Sequence, residues 1–498
     1  YIEVDQMLKP FATPNDPRYG DQWHYYEQAG GLNLPTAWDT ATGSGVVVAV
    51  LDTGYRPHVD LNANILPGYD MISNLSVAND GNGRDNDARD PGDAVAAGEC
   101  GNNGAQGSSW HGTHVAGTVA AVTNNGEGVA GVAYDAKVVP VRVLGKCGGL
   151  TSDIADGIIW ASGGNVSGTS ANANPADVIN MSLGGAGACS STTQNAINTA
   201  RNNGTVVVIA AGNDNDNSAN YNPGNCNGVV NVASVGRNGG RAYYSNYGNN
   251  IDVAAPGGAQ SFANDSEGVL STYNSGSTTP SSDSYGFSQG TSMAAPHVAG
   301  VAALIKQAKP NATPDEIESI LKTTTRPFSS TCTSCGTGIV DAAAAVAAAS
   351  DGTPPTTGDN ELVDGEVKAA CDHCGNCLLG CHVHAKNTLD LNYIPLAEQH
   401  GAVVLPRHEA LNITPDAQGY TVTCRDLSSA PADSKNTSLK TFRAQQVVVA
   451  AGTLGTNELL LRCKQRSQTL PRISDQLGQC FSGNGDFLLA GTHYENRV

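Results

Sequence analysis

At 498 residues the chain is longer than one hydrophobic core usually serves, so two or more domains are expected. Its 46 acidic against 27 basic residues leave a net charge of -19, which argues against nucleic acid as a partner and favours solubility and cation binding. No stretch approaches the roughly 20 apolar residues that cross a bilayer, and 59 glycines with 15% charged residues fit compact, loop-rich globular structure rather than a coiled coil.

Continuous apolar runs recur at residues 46–51, 136–143, 178–181, 205–211 and 229–235. They do not alternate with polar residues, which predicts strands buried on both faces of a parallel sheet. Residues 151–160 and 191–203 predict crossover helices between them, giving an α/β, three-layer domain. Asp52 then sits at the carboxyl end of a strand, where open α/β sheets place their chemistry. An apolar helical run over 293–306 places Ser292 at a helix N-terminus. Thr313-Pro-Asp-Glu316 opens another helix, running to about Thr323, with a capping box and Pro at its first position. An alanine-rich helix over 341–349 closes this part, and 350–359 lacks apolar periodicity and reads as an exposed linker. The expected organisation is a short leading segment 1–11, a domain over 12–350, a linker 351–360 and a second part 361–498.

Three segments carry groups that could act together: Leu51-Asp52-Thr-Gly54, His111-Gly-Thr-His-Val-Ala-Gly117 and Gly290-Thr-Ser292-Met-Ala-Ala-Pro-His297. A serine hydroxyl becomes a nucleophile when an imidazole takes its proton, and a buried carboxylate fixes that imidazole's tautomer. Asp, then His, then Ser is the chain order of subtilisin. With their neighbours, these segments make about residues 11–350 resemble the subtilase family of serine proteases, near its secreted, proteinase K-like members.

The resemblance implies Ser292 as nucleophile, His111 as general base then acid, Asp52 orienting it, and Asn213, in Ala210-Ala-Gly-Asn213, as the side-chain donor to the oxyanion. His58, His114 and His297 match structural positions. Ser182, Leu183 and Gly184, together with Gly149 and Leu150 that follow Gly148, correspond to the segments that flank an extended substrate. Ala210, Ala211 and Gly212 would line a specificity pocket roomy enough for large apolar groups. A calcium ion is implied at Asp16, Asp60, Val122, Asn125, Glu127 and Val129, partly through backbone carbonyls. The acidic loop bearing Asp80, Asp85 and Asp87 has the alternating oxygens of a second calcium loop, without the final Glu of an EF-hand. Six dispersed cysteines suit disulfides in an oxidising compartment, and the family implies the pairs Cys100 with Cys147, Cys189 with Cys226, and Cys332 with Cys335. Residues 1–11 resemble the tail of an inhibitory propeptide, so a secreted, extracellular precursor and a monomeric mature enzyme acting on protein or peptide substrates are expected.

Beyond the linker the character changes. Cys374-Gly-Asn-Cys377, Ala385-Lys-Asn-Thr-Leu-Asp390, Val447-Val-Val-Ala-Ala-Gly-Thr-Leu-Gly-Thr-Asn-Glu-Leu-Leu-Leu-Arg462 and Phe481-Ser-Gly-Asn-Gly-Asp-Phe487 resemble the interior of glucose-methanol-choline (GMC) flavin oxidoreductases of the cholesterol-oxidase-like branch. Such an enzyme holds its dinucleotide on a strand, G-x-G-x-x-G turn and helix. No such turn is read anywhere in the chain, so FAD binding is not expected. Cys371, Cys374, Cys377 and Cys381 have ferredoxin-like spacing, with His373, His382 and His384 as further ligands for zinc, yet disulfides or free thiols are the expected state. The favoured function is a serine endopeptidase, with an FAD-dependent oxidoreductase and an inactive binding module on a subtilase scaffold as rivals. The second part is expected to be dispensable for proteolysis.

Overall fold

The computed structural model describes residues 13–101, 104–350, 402–427 and 438–477. The chain divides into two compact units, Leu8–Asp359 and a second comprising Tyr1–Met7 with Asn360–Val498. The segment 1–11, the linker 351–360 and the Cys371, Cys374, Cys377 and Cys381 cluster lie outside the described residues.

In the first unit, β1 (Val47–Asp52), β2 (Tyr69–Asp70), β3 (Lys137–Arg142), β4 (Val178–Met181), β6 (Val206–Ala210), β8 (Val230–Val235) and β9 (Val253–Pro256) form a parallel sheet in the order β2-β3-β1-β4-β6-β8-β9. Two short strands, β5 (Gly185–Ala186) and β7 (Tyr221–Asn222), pair antiparallel beside it. The continuous valine and isoleucine runs have the predicted cause: β4, β6 and β8 are buried at every position.

One face of the sheet is covered by α4 (His111–Ala120), α7 (Thr291–Ala308) and α9 (Ala342–Ser350), together with the short α1 (Trp23–Tyr26) and α2 (Leu34–Trp38). The other carries α5 (Thr151–Ala161) and α6 (Ser191–Asn202), with the small α3 (Leu75–Ala78) in the loop after β2. The α/β layered fold and the crossover helices are as expected. α8 (Pro314–Thr323) has the predicted capping box, with Thr313 Oγ1 accepting from the Glu316 N–H and the Glu316 side chain accepting from the Thr313 N–H.

Two features escape the periodicity argument. β9 has only four residues ending in Pro256, too short to stand out from loop. The antiparallel hairpin β10 (Val269–Asn274) and β11 (Asp283–Ser288) is rich in Ser and Tyr, and its order comes from α4: Ser271 Oγ donates to the His114 carbonyl at 2.7 Å and Thr272 Oγ1 to that of Thr113 at 2.8 Å. Among the described residues, disulfides join Cys100 to Cys147, Cys189 to Cys226 and Cys332 to Cys335, the pairs that the resemblance implied.

The second unit, by itself, contains an antiparallel meander of β12 (His408–Asp416), β13 (Gly419–Asp426) and β14 (Leu439–Ala444), and helix α10 (Gly452–Leu461). Ile413, Leu459 and Cys463 are its buried cluster.

Candidate active site

Asp52 ends β1, and its carboxylate is fully buried. Its Oδ1 accepts the Thr53 N–H at 2.8 Å and the His111 Nδ1–H at 2.7 Å, which leaves Nε2 of that ring free to take a proton. His111 is the first residue of α4 and is a quarter exposed. The approach of α4 to the end of β1 depends on Gly112, where a Cβ would lie 2.0 Å from the Gly54 carbonyl oxygen. The Gly112 N–H bonds Thr53 Oγ1 at 3.1 Å, and that hydroxyl donates to buried Asp90 at 2.8 Å. Burial disfavours the imidazolium of His111, but the charge and hydrogen bond of Asp52, aided by Asp93 and Asp90, outweigh it and raise the pKa.

Ser292 lies in the first turn of α7, whose N-cap is Gly290 at φ 147°, a backbone conformation that favours glycine. Its hydroxyl donates to the Ser182 carbonyl at 3.2 Å. Further along α7, Pro296 has no N–H to offer the carbonyl four residues back, which is that of Ser292. Ser182 Oγ donates to that freed carbonyl at 2.7 Å and accepts from Asn180 Nδ2 at 3.0 Å. The proline thus ties the serine-bearing turn to the end of β4.

Asn213 follows β6. Its Oδ1 accepts both the Thr291 N–H at 2.8 Å and the Thr291 hydroxyl at 2.9 Å, while Thr291 Oγ1 accepts the Gly212 N–H at 3.1 Å. With the oxygen so held, the Nδ2 amide is the free donor. Ser182, Leu183, Gly184, Ala210, Ala211, Gly212, Asn213 and Ser292 line one cavity of about 410 Å³. His111 lines a second of about 410 Å³ with Asp93, Ser109 and Gly148, and Ser182 borders both. Gly149 and Leu150 follow directly, and Leu150 is exposed.

The remaining histidines of the motifs are structural in their contacts. His297 Nδ1 donates to the Met293 carbonyl at 2.7 Å, so its Nε2 accepts from His24 Nδ1 at 2.8 Å. His114 Nε2 bonds the Val269 carbonyl at 3.0 Å, and His58 Nε2 that of Ser284 at 3.0 Å. Burial lowers His297 to about 3 and His114 to about 4. Thr291 and Ser109 are not singled out by the sequence, although Thr291 stands inside Gly290-Thr-Ser292, and Asp90 and Asp93 stand out there only as the end of the acidic loop running from Asp80 to Asp93.

The first calcium set is brought together. Asp16 Oδ2 accepts the Asn124 N–H at 2.9 Å, while Oδ1 is buried without a partner. Asp60 accepts from Asn125 Nδ2 at 2.8 Å and the Val129 N–H at 2.9 Å, and its own carbonyl accepts the Val122 N–H at 2.8 Å. Burial, with the Asp16 charge adding to it, raises Asp60 to about 6. An orphaned carboxylate oxygen beside a second, strained carboxylate fits a hard cation. Glu127 is exposed there, its N–H bonded to Asn125 Oδ1 at 2.8 Å.

The second acidic loop is arranged differently. Asp80 shares Arg142, at 2.9 Å, with the buried Asp70, Asp87 pairs with Arg89 at 2.5 Å, and Asp85 bonds Asn82.

Residues 43–361 match the Subtilase family. The chain belongs to the subtilase family. It is similar to an extracellular protease of Xanthomonas campestris, 60% identical over 354 residues that cover 70% of this chain and 60% of that protein. Thermitase of Thermoactinomyces vulgaris is 36% identical over 67% of this chain and 99% of its own length. A solved structure described as proteases from Pseudoalteromonas arctica is 93% identical, covers 68% of this chain and all of its own, and superposes with a TM-score of 0.68. The chain spans about three fifths of the first two curated relatives, 60% of the Xanthomonas protein and 58% of an extracellular basic protease of Dichelobacter nodosus.

Residues 333–477 also match a GMC oxidoreductase family, in line with the resemblance of the second part. The residues described there do not fit a flavin dinucleotide: they form an antiparallel meander and a helix rather than the parallel strand, glycine turn and helix that grip a pyrophosphate. Contrary to the expectation that no such turn occurs, the chain does contain one G-x-G-x-x-G match, Gly126-Glu-Gly-Val-Ala-Gly131. It lies in the subtilase unit, in the loop after α4, with no helix following it, and is not a dinucleotide turn.

Proposed function

We propose that this chain is a secreted, calcium-stabilised serine endopeptidase that cleaves protein and peptide substrates through an acyl-enzyme on Ser292. The observation that carries the reading is the setting of His111: a buried Asp52 carboxylate holds Nδ1, and the cavities lined by His111 and by Ser292 share Ser182.

In this scheme the Ser292 hydroxyl leaves the Ser182 carbonyl, gives its proton to His111 Nε2 and attacks the scissile carbonyl carbon. The oxyanion receives hydrogen bonds from Asn213 Nδ2 and the Ser292 N–H, which as a first-turn amide has no intrahelical acceptor. His111 then protonates the leaving amine, and water repeats the sequence on the ester. Asp52 keeps the imidazole in one tautomer and offsets its transient positive charge. Small residues at Ala210, Ala211 and Gly212 suit a large apolar side chain beside the cleaved bond. A substrate strand would run along Ser182 to Gly184 on one side and Gly148 to Leu150 on the other. A cation held by Asp16, Asp60 and the 122–129 loop would fasten the N-terminal segment to the end of α4. Maturation from a propeptide and action as a monomer belong to the same reading.

The test is casein hydrolysis by the purified chain and by Ser292→Ala. The variant is expected to lose several orders of magnitude, and the wild type to be blocked by a serine-directed sulfonyl fluoride. Undiminished hydrolysis by pure Ser292→Ala would overturn the assignment.

A further inference from the structure

We infer that Asp93 makes the subsite beside His111 selective for a cationic side chain, so that the peptidase favours Lys or Arg immediately before the residue whose bond is cut. This rests on the peptidase reading and specifies its substrate. Successive side chains of an extended peptide point to opposite sides. When one fills the cavity beside Ser292, the preceding one falls on the His111 side.

That second cavity is lined by one carboxylate, Asp93, and by no Lys or Arg among the described residues. The carboxylate is fixed in place: Asp93 Oδ1 accepts the Ser109 N–H at 2.6 Å and Oδ2 the Ser109 hydroxyl at 2.6 Å. Both donors are neutral, so the negative charge is oriented but not cancelled. The nearest cation by sequence to the cavity wall, Lys146 beside Cys147, is paired with Glu99 at 2.8 Å. Val95 and Leu144 supply apolar wall for the methylenes of a long basic side chain, which can lie along them while its head reaches the carboxylate. The charge of Asp93 also acts on His111, one of the causes of that group's raised pKa.

The experiment compares kcat/KM on three anilide peptides that share Phe before the scissile bond and carry Lys, norleucine or Glu one position earlier. Norleucine has the length of Lys without its charge. For the wild type, Lys is expected to exceed norleucine by about tenfold and Glu by more, with the Lys advantage shrinking in molar salt. In Asp93→Asn, which keeps an oxygen to accept from Ser109, the Lys to norleucine ratio is expected to fall to about one. Equal wild-type rates on all three peptides, a salt-independent ratio, or an unchanged ratio in Asp93→Asn would each overturn the inference and leave the peptidase reading standing. If the wild type cleaves neither these peptides nor casein, the peptidase reading itself fails and this inference fails with it.

Discussion

Thr291 is the support on which Asn213 depends, and its replacement by valine isolates that role. The side chain is isosteric and the position fully buried, so packing is retained while one hydroxyl disappears. Two hydrogen bonds go with it: the 2.9 Å bond to Asn213 Oδ1 and the 3.1 Å bond from the Gly212 N–H. At about 1 kcal/mol for each neutral bond, stability should drop by about 2 kcal/mol, read as a lower denaturant midpoint at unchanged slope. Asn213 keeps the Thr291 N–H at 2.8 Å, so its amide is loosened rather than released. Complete loss of such a donor costs about 10²–10³ in kcat, a magnitude that comes from a subtilisin and so from this family. Thr291→Val should forfeit about 1 kcal/mol of that, roughly a fivefold fall in kcat with KM little changed. The decisive assay is a double-mutant cycle in kcat. Once Asn213→Ala has removed the amide, Thr291→Val should cost nothing more. Wild-type kcat in the single variant, or additive losses in the pair, would show that Thr291 does not act through Asn213.

Two further outcomes follow from the charges of the site. His111 must be neutral to act as a base and its pKa is raised, so kcat/KM should fall as pH drops through a midpoint above 6.5. A midpoint at or below 6.5 would mean that burial outweighs Asp52. Calcium at 100 times its dissociation constant should stabilise the first unit by about 2.7 kcal/mol, seen as a lower melting temperature in chelator, and Asp16→Asn should abolish the difference. Without a cation Asp60 is raised to about 6, so protons compete with calcium as pH falls through that value and the calcium-dependent difference should shrink there.

The sheet was legible because parallel strands buried on both faces must be apolar throughout, and the runs ending in Asp52 and Ala210 are so. The ends of those strands were legible for the same reason: Asp52 and Asn213 stand out as polar residues where an apolar run stops. What sequence could not supply was support that arrives from afar. Asp90 reaches the site through Thr53, and Asp93 is placed by Ser109, contacts made across loops with no periodicity. The β10–β11 hairpin was hidden because Ser271 and Thr272 of β10 are buried by bonding α4 carbonyls, so their polarity signals loop in sequence and core in the fold. The arginines that meet the acidic loop were equally out of reach of the sequence: Asp80 and Asp87 have calcium-like spacing, and in the fold Asp80 meets Arg142, fully buried at the end of β3, while Asp87 meets Arg89.

Arg142 is also opposite Asp52 in the register of β1 and β3, and its ion pair with Asp70 ties the end of β3 to that of β2.

The same contrast between buried and unburied side chains locates the boundary between the two family likenesses, which overlap over residues 333–361. Within that overlap, Ala342, Ala345, Val346 and Ala349 of α9 are buried in the main core of the first unit with Leu34 and the apolar positions of α7. Asp341, just ahead of α9, bonds Asn33 Nδ2 through both carboxylate oxygens, and the Ala342 N–H donates to the Leu32 carbonyl at 2.8 Å. A helix whose apolar face is already filled on one core has none left for another. Its residues therefore belong physically to the first unit, which runs to Asp359. In the second unit the described residues bury little: Val403, Leu439 and Val448 are each more than three fifths exposed, and the β12–β14 meander closes on a cluster centred on Ile413, Leu459 and Cys463. Small units bury a small share of their apolar surface and gain correspondingly little from folding. The peptidase reading accordingly needs only the first unit, whose site residues, supports and candidate cation ligands all lie between Asp16 and Ser292.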